Sequence, residues 1–208
     1  AFETAINVTT NGSTAAFADS AAASAATVFD VTLAAGGSAV TLGANNDTLV
    51  GGTGIDTITG GAGADTLTGA GGADTFTYGD GDSKSAAMDV IVDYTTTTDI
   101  IDDGGTITLA ANTDASGEAT VSAAGLVTGY NGASTAYDTF AEKLTQIDKG
   151  LGGTANQAAL FTDSEKAYLY ISVGTDALND GTDTVIELTG VTTATGLTVA
   201  DGNITAIA

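Results

Sequence analysis

The chain has 208 residues, of which Thr (38), Ala (38) and Gly (29) make up about half, and its net charge is −22. The chain contains 26 acidic residues and only four Lys, and it has no Arg, His or Cys. So few cations cannot neutralise a phosphate backbone or an acidic lipid surface, which excludes nucleic acid and acidic membranes as partners. The missing His and Cys exclude a His/Cys zinc site, a Ser-His-Asp triad and a thiol nucleophile. No apolar run approaches the ~20 residues of a membrane span, so we expect no membrane insertion.

High acidity alone would suggest disorder, but 43% of the residues are hydrophobic and the Asp residues recur at regular spacing. We therefore expect a folded chain whose negative charge is offset by bound divalent cations. The sequence shows no secretory signal peptide and does not begin with Met. We expect it to be a processed product or a piece of a longer protein.

Residues 1–41 are rich in Ala, Thr and Ser and contain three strand candidates. Residues 1–10 alternate loosely between apolar and polar positions, and residues 28–33 and 38–42 alternate better. Residues 15–26 could form a short helix, although its apolar face would hold almost nothing larger than Ala.

A nine-residue repeat begins at Leu42. Its four copies read LGANNDTLV, GGTGIDTIT, GGAGADTLT and GAGGADTFT, with Asp, Thr and an apolar residue in the same three places each time. The Thr and apolar positions predict a short strand that points one side chain inward, and the Gly-rich remainder predicts a tight turn. Two nonapeptides then make one coil of 18 residues.

Stacking such coils places Asp47 above Asp65 on one edge, and Asp56 above Asp74 on the opposite edge. Each edge becomes a column of carboxylates and backbone carbonyls, and oxygen-only ligands suit several Ca²⁺ ions instead of a transition metal. Without the ions the stacked carboxylates should repel one another. The candidate ligands are Asn45, Asp47, Gly51, Gly52, Gly54, Asp56, Gly60, Gly61, Gly63, Asp65, Gly69, Gly71, Gly72 and Asp74.

These nonapeptides resemble the calcium-binding repeats of the RTX (repeats-in-toxin) family, whose pattern is G-G-x-G-x-D-x-U-x. The second and third copies match every fixed position, whereas the fourth has Ala70 for the second Gly and the first has Leu42 and Asn45 at glycine positions. The resemblance implies a parallel β-roll that folds on meeting external Ca²⁺ after export. The alternative, a flexible Gly-rich linker, does not explain four in-phase Asp-Thr-apolar triplets.

Three further segments resemble the region that caps the roll in secreted RTX proteins: residues 76–83 (FTYGDGDS), 89–94 (DVIVDY) and 99–102 (DIID). In 89–94 the apolar residues alternate with Asp, which predicts a strand with Val90, Val92 and Tyr94 on its apolar face.

The cap also supplies carboxylates that could hold a further ion or simply solvate the end of the roll. We include Asp80 and Asp82 among the candidate metal ligands, and Asp99 and Asp102 are weaker candidates for the same role.

Residues 105–208 have a different pattern. Strands are expected over 106–110 and 118–122, and a hairpin over 166–173 and 183–189. In the hairpin loop, an EF-hand alignment on Gly181 would make ligands of three acidic residues, Asp176, Asp180 and Glu187. Leu178 would then occupy a ligand position, so an acidic loop without an ion is the preferred interpretation.

A helix is predicted over 134–149, capped by Ser134 and ending near Lys149 and Gly150. Its apolar face would carry Tyr137, Phe140, Leu144 and Ile147.

We therefore expect a mainly β protein in three parts. Residues 1–41 would be N-terminal strands that extend the roll, residues 42–104 the RTX β-roll with its cap, and residues 105–208 a C-terminal β-rich domain containing the helix. This ending resembles the distal domain of type I secreted RTX proteins.

Two functions remain open. The composition resembles bacterial surface-layer proteins with RTX repeats, which implies an extracellular, cell-surface protein that assembles with copies of itself into a layer or filament. The alternative is the calcium-folding C-terminal secretion module of a larger RTX enzyme or adhesin. A small ligand-binding module would need an aromatic-lined pocket. Carboxylate pairs could in principle serve a glycosidase, but there is no Trp to form a sugar platform, so we expect no enzymatic activity.

Overall fold

Two large β-sheets, one short hairpin and one helix make up the described part of the chain. The computed structural model describes residues 6–10, 14–16, 29–109, 119–130, 139–152, 155–173, 183–191 and 195–207. The elements, in chain order, are β1 (Ile6–Thr10), β2 (Thr14–Ala16), β3 (Phe29–Leu33), β4 (Ala39–Thr41), β5 (Thr48–Val50), β6 (Thr57–Thr59), β7 (Thr66–Thr68), β8 (Thr75–Thr77), β9 (Asp89–Ile91), β10 (Ile100–Asp102), β11 (Ala119–Val121), β12 (Val127–Tyr130), α1 (Phe140–Gly150), β13 (Gln157–Asp163), β14 (Lys166–Ser172), β15 (Thr184–Leu188), β16 (Leu197–Ala200) and β17 (Asn203–Ile207).

The first ten strands form a parallel β-roll. Odd-numbered strands β1, β3, β5, β7 and β9 lie side by side in an eight-stranded sheet, and even-numbered strands β2 to β10 do so in a seven-stranded sheet. All neighbouring pairs within this set are parallel. The chain therefore alternates between the sheets, and the N-terminal strands extend the same winding as the repeats.

The repeat period sets the register. Leu49 pairs with Leu67 in one sheet, and Ile58 pairs with Phe76 in the other, so each coil advances by two nonapeptides. These four side chains are fully buried between the sheets. The flanking residues of each triplet point outward, because side chains of a strand alternate between its two faces.

The cap continues the roll with longer coils. Ile91 pairs with Leu67 and Ile101 pairs with Phe76, so the Asp-x-apolar triplets of β9 and β10 stack on those of β7 and β8. The expectation that Val90 and Val92 face the core is wrong. Ile91 occupies that position because it continues the stack, and Val92 is 38% exposed. Tyr94 is buried as expected.

The C-terminal strands complete both sheets. In the eight-stranded sheet β15 lies parallel to β9, followed by β14 and β13 in antiparallel order. In the seven-stranded sheet β17 and β16 add antiparallel to β10. One hydrophobic core therefore runs from Phe29 to Ile207, across residue 104. The predicted hairpin is present as β14 and β15, and its loop lies outside the described residues.

A second core lies under the helix. Leu144 and Ile147 of α1 pack with residues of the β11–β12 hairpin and of β13 to β15, where Phe140, Phe161 and Tyr168 form an aromatic cluster.

The helix begins later than predicted. Thr139 is its N-cap and forms a capping box with Glu142, because these two side chains satisfy each other's backbone N–H groups. Ser134 and Tyr137 lie outside the described residues. Lys149 does lie in the last turn, and Gly150 is the final helical residue. Of the strand predicted over 106–110, the described residues form only an isolated bridge at Thr108.

The fourth repeat carries strain that can be relieved. Ala70 has a φ of 65°, where the equivalent Gly61 has 81°. This conformation costs a non-glycine residue about 1–2 kcal/mol. Replacing Ala by Gly removes that cost but raises the conformational entropy of the unfolded chain, which lowers stability by about 0.4–1 kcal/mol. We expect Ala70→Gly to raise the unfolding free energy, by up to about 1 kcal/mol, in urea titrations with saturating Ca²⁺. Ala62→Gly, at a position without positive φ, should lower it. Equal losses for both variants would contradict this account.

Candidate metal centre

The repeat Asp residues form two columns, one along each edge of the roll. In the first column, Asp47 Oδ1 accepts a hydrogen bond from the Phe29 N–H at 2.7 Å, and Asp65 Oδ1 accepts one from the Asp47 N–H at 2.7 Å. Asp89 Oδ1 continues the series with the Asp65 N–H at 2.9 Å. Each carboxylate thus reaches back to the backbone of the preceding coil.

The second column has the same construction on the opposite edge. The backbone N–H groups of Ser38, Asp56 and Asp74 donate to Oδ1 of the Asp one coil later, at 2.7, 2.8 and 3.1 Å. The acceptors are Asp56, Asp74 and Asp99. The predicted pairing of Asp47 with Asp65 and of Asp56 with Asp74 is therefore present, and the hydrogen bonds fix the carboxylates in position.

The turn glycines are needed because oxygen atoms occupy the space of their missing side chains. A Cβ at Gly60 or Gly69 would overlap the carboxylate of Asp65 or Asp74. At other turn glycines a Cβ would meet a backbone carbonyl of the adjacent coil; these pairs are Gly51 with Gly69, Gly52 with Ala34, Gly61 with Gly43, Gly63 with Asn45, and Gly72 with Gly54. A Cβ at Gly71 would make only ordinary van der Waals contact with Thr53, whereas one at Gly54 would overlap the backbone of Gly36 and Gly37. The turns are thus lined by oxygen.

Two of the repeat carboxylates have an oxygen without a partner. Asp65 Oδ2 and Asp74 Oδ2 are buried and make no hydrogen bond among the described residues, and each of these side chains is 1% exposed. By contrast, Asp56 Oδ2 accepts from the Gly52 N–H at 2.9 Å, and Asp47 Oδ2 accepts from the Gly43 N–H at 3.4 Å. A buried, unpaired carboxylate oxygen is costly, and a hard divalent cation would satisfy it.

The donor set fits calcium only if the backbone takes part. No group of three or more acidic side chains in the described ranges is placed to hold a metal ion by itself. The Asp side chains would therefore act with the carbonyl groups of the turns. Calcium accepts such mixed oxygen ligands in flexible geometry.

Comparison with protein families agrees with this geometry. Residues 41–82 match the model of the RTX calcium-binding nonapeptide repeat, in four copies. The chain therefore contains RTX calcium-binding nonapeptide repeats. RTX nonapeptide repeats bind calcium ions, so the predicted cofactor is confirmed. Proteins with these repeats are typically secreted, and no helix in the described ranges is long and apolar enough to cross a membrane. A search of curated proteins found no match to the chain.

The cap carboxylates that follow the RTX repeats lie in different surroundings. Asp82 Oδ2 accepts from the Gly79 N–H at 2.8 Å, and its charge acts on Asp65 and Asp89. Asp80 is exposed and lines an open cavity with Asp103. The structure therefore brings Asp82, and not Asp80, toward the first column.

Two carboxylates that belong to the columns lie outside the nonapeptide pattern. Asp89 extends the first column, and both oxygens of Asp93 accept from the N–H groups of Gly69 and Ala70, at 2.9 and 2.8 Å. The signal for Asp89 was present in the Asp-x-apolar triplet, which β9 shares with the repeats. Asp102, in contrast, only caps its own turn through the Gly104 N–H.

Burial makes the column carboxylates hard to ionise without a cation. Loss of solvation, opposed in part by the backbone hydrogen bonds, raises the pKa of Asp65 to about 7, that of Asp74 to about 6 and that of Asp89 to about 8. The neighbouring carboxylates add to these pKa shifts by repulsion.

The calcium-free roll should therefore be stabilised by acid. Its carboxylates bind more protons when folded than when unfolded, so stability falls as pH rises from about 4 through the raised pKa values. In chelator, we expect urea unfolding followed by circular dichroism to show a more stable roll at pH 5 than at pH 8. With saturating Ca²⁺ the order should reverse, because protons then compete with the ion. A calcium-free roll that gains stability on raising the pH would contradict these pKa shifts.

The two Asp residues of the first column should differ in their effect on calcium binding. Asp65→Asn removes a charge beside an unpartnered oxygen, whereas Asp47→Asn changes a carboxylate whose two oxygens already accept backbone N–H groups. We expect isothermal titration calorimetry to show fewer bound ions for Asp65→Asn and a smaller change for Asp47→Asn. A larger loss for Asp47→Asn would be inconsistent with the hydrogen-bond pattern.

Proposed function

We propose that this chain is an extracellular structural protein that assembles with copies of itself at the bacterial cell surface when calcium binds. The product would be a surface layer or a filament. The observation that carries the proposal is the position of the sheet edges. At one end of the roll the outermost strands are β1 and β2, and at the other they are β13 and β16.

Open edges favour pairing with another chain. The outer sides of β1 and β2 bond to no other strand of the described residues. The edge at the other end is partly covered, because the N–H groups of Leu160 in β13 and Leu197 in β16 donate to the carbonyls of Gly125 and Ala124, both at 2.7 Å. An edge strand presents unpaired backbone N–H and C=O groups, and a second chain can add to it. The two ends of the molecule differ, so pairing between them is head-to-tail and gives an open filament instead of a closed dimer.

The N-terminal edge lacks the usual protection against such pairing. Proteins often protect an edge strand from pairing by placing charged residues, especially Lys, or Pro in it. The sequences of β1 (INVTT) and β2 (TAA) contain none of these, and the whole chain has no Pro.

Charge explains why assembly should depend on calcium. With a net charge of −22, two copies repel each other strongly at low ionic strength. Calcium binding would stabilise the folded roll and so order its edge strands. It would also reduce the electrostatic repulsion between subunits. The role we propose is structural, without catalysis.

Removing the N-terminal edge strand tests the proposal. We expect the full chain with millimolar Ca²⁺ to form ordered polymers in electron micrographs and to return to monomers after chelation. Deletion of residues 1–10, which removes β1, should abolish the order. Deletion of residues 1–5, which leaves β1, is the matched control and should polymerise normally. If the 1–10 deletion also polymerises normally, or the full chain sediments as a monomer at high concentration with Ca²⁺, assembly through this edge is wrong.

The second candidate is the calcium-folding C-terminal secretion module of a larger type I secreted RTX protein. The observation that favours it is that β13 to β17 complete both sheets, so the roll and the C-terminal segment form one calcium-linked unit. Calcium-dependent folding of a chain that stays monomeric, together with its export by a type I secretion system, would support this candidate over assembly.

A further inference from the structure

A tyrosine hydroxyl lies between two buried carboxyl groups where α1 packs on the C-terminal strands. The Tyr170 hydroxyl of β14 is 3.0 Å from Asp148 Oδ1 of α1 and 2.7 Å from Oδ2 of Asp183, the residue before β15. Tyr170 is fully buried, and Asp148 and Asp183 are 3% and 6% exposed. These three side chains therefore join the helix to two strands through one buried polar contact.

This contact needs one proton more than two ionised Asp side chains and a neutral Tyr provide. A phenol has a single proton, so it can donate to one of the two carboxyl groups, and an ionised carboxylate can only accept. A second ionised carboxylate would face the phenol oxygen with no hydrogen between the two atoms, which is costly in a buried place. Burial raises the pKa of Tyr170 well above its usual value, and the charges of Asp183 and Asp148 raise it further, so the phenol keeps its own proton. The additional proton therefore belongs to a carboxyl group.

The distances and the surroundings assign that proton to Asp148. The 2.7 Å contact has the length of a charge-assisted hydrogen bond from Tyr170 to an ionised Asp183. The other Asp183 oxygen accepts from the Val173 N–H at 3.1 Å, which also favours the ionised form. The 3.0 Å contact to Asp148 is longer, as a bond between two neutral groups would be. Asp148 also lies in the last turn of α1, where the helix dipole disfavours a negative charge.

The lysines of the packed elements do not supply a positive charge in place of this proton. In the described part of the chain, Lys143 of α1 pairs with Asp163 of β13, and Lys149 of α1 is exposed. Lys166 of β14 pairs with Glu187 of β15. The other titratable side chains described on these elements, or bonded to them, carry no positive charge: Glu142, Tyr168 and Asp103. The additional positive charge at this contact is therefore a proton.

We propose that Asp148, Tyr170 and Asp183 share one buried proton in addition to that of the phenol, and that this proton holds α1 on β14 and β15. The Asp148 carboxyl group donates to the Tyr170 oxygen, and the Tyr170 hydroxyl donates to the Asp183 carboxylate. Loss of the proton at higher pH leaves two negative charges against one phenol, which weakens the docking of the helix. The contact lies outside the roll, so the proposal depends neither on calcium binding nor on assembly.

The proton can be counted from the pH dependence of stability. Asp148→Asn keeps a donor towards Tyr170 and cannot ionise. A carboxyl group that stays protonated in the fold destabilises the folded state as the pH rises above about 4, because the unfolded chain releases that proton. In urea titrations of the full chain with saturating Ca²⁺, the folding constant of the wild type relative to Asp148→Asn should fall by up to about tenfold per pH unit. Asp201→Asn, the same change at an exposed turn, should keep the wild-type pH dependence. Equal pH dependence in Asp148→Asn and the wild type would overturn the proposal.

Infrared spectroscopy detects the same proton directly, because a protonated carboxyl group absorbs apart from ionised carboxylates. With saturating Ca²⁺ at neutral pH, we expect the wild-type chain to show a carboxylic acid band that is missing from Asp148→Asn. Tyr170→Phe should shift this band, since it removes the acceptor of the proton, and Asp201→Asn should leave it unchanged. The same carboxylic acid absorption in Asp148→Asn and the wild type would show that Asp148 is ionised and overturn the assignment.

Hydrogen exchange tests whether the proton holds the helix. Above the pH at which the carboxylic acid band disappears, peptides covering 140–151 should exchange faster in the wild type than in Asp148→Asn. Peptides covering 57–77 in the roll should exchange equally in both chains. Each comparison is made at one pH, so the effect of pH on the intrinsic exchange rate cancels. Equal exchange of 140–151 in the two chains at that pH would show that the proton does not hold α1 in place.

Discussion

The structure depends on one repeated interaction, in which an Asp carboxylate accepts a hydrogen bond from the backbone N–H of the preceding coil. It occurs six times in two columns, from Phe29 to Asp89 on one edge and from Ser38 to Asp99 on the other. The interaction aligns the coils, but it also stacks buried negative charges in a chain with four Lys. Calcium would resolve this conflict by binding to the oxygens that the backbone leaves free. Folding of the roll and binding of the metal are therefore linked.

The roll and the C-terminal segment reach stability by different means. In the roll the side chains between the sheets are single apolar residues such as Leu67 and Phe76, and the turns consist of glycine and carboxylate. The C-terminal segment has an aromatic cluster and a capped helix. It also contains three of the four Lys, two of which form ion pairs. The continuous core shows how the two are joined, because β15 and β17 extend the sheets of the roll.

The calcium concentration around the protein determines when the roll is stable. Where calcium is scarce, the carboxylates of both columns remain uncompensated and the roll is destabilised at neutral pH. Where calcium is abundant, bound ions would compensate the columns and stabilise both sheets. A protein built in this way can stay unfolded during export and become a polymer subunit outside the cell, which is the function that we propose.

The sequence by itself determined the roll, because its period is local: every nine residues repeat the same turn, carboxylate and inward side chain. That period was enough to place Asp47 above Asp65 and Asp56 above Asp74, and to identify calcium. It could not determine the rest, which depends on contacts between distant segments. Ile91, and not Val90 or Val92, faces the core because Leu67 sets its register across an irregular coil. The strands β12, β13, β16 and β17 were not predicted, because each is a strand only through its pairing with another segment: β12 with β11, β13 with β14, β16 with β17, and β17 also with β10. Only the tertiary structure decided which oxygens lack partners, because Asp47 and Asp65 occupy equivalent places in the repeat and differ only in what the neighbouring coil offers them.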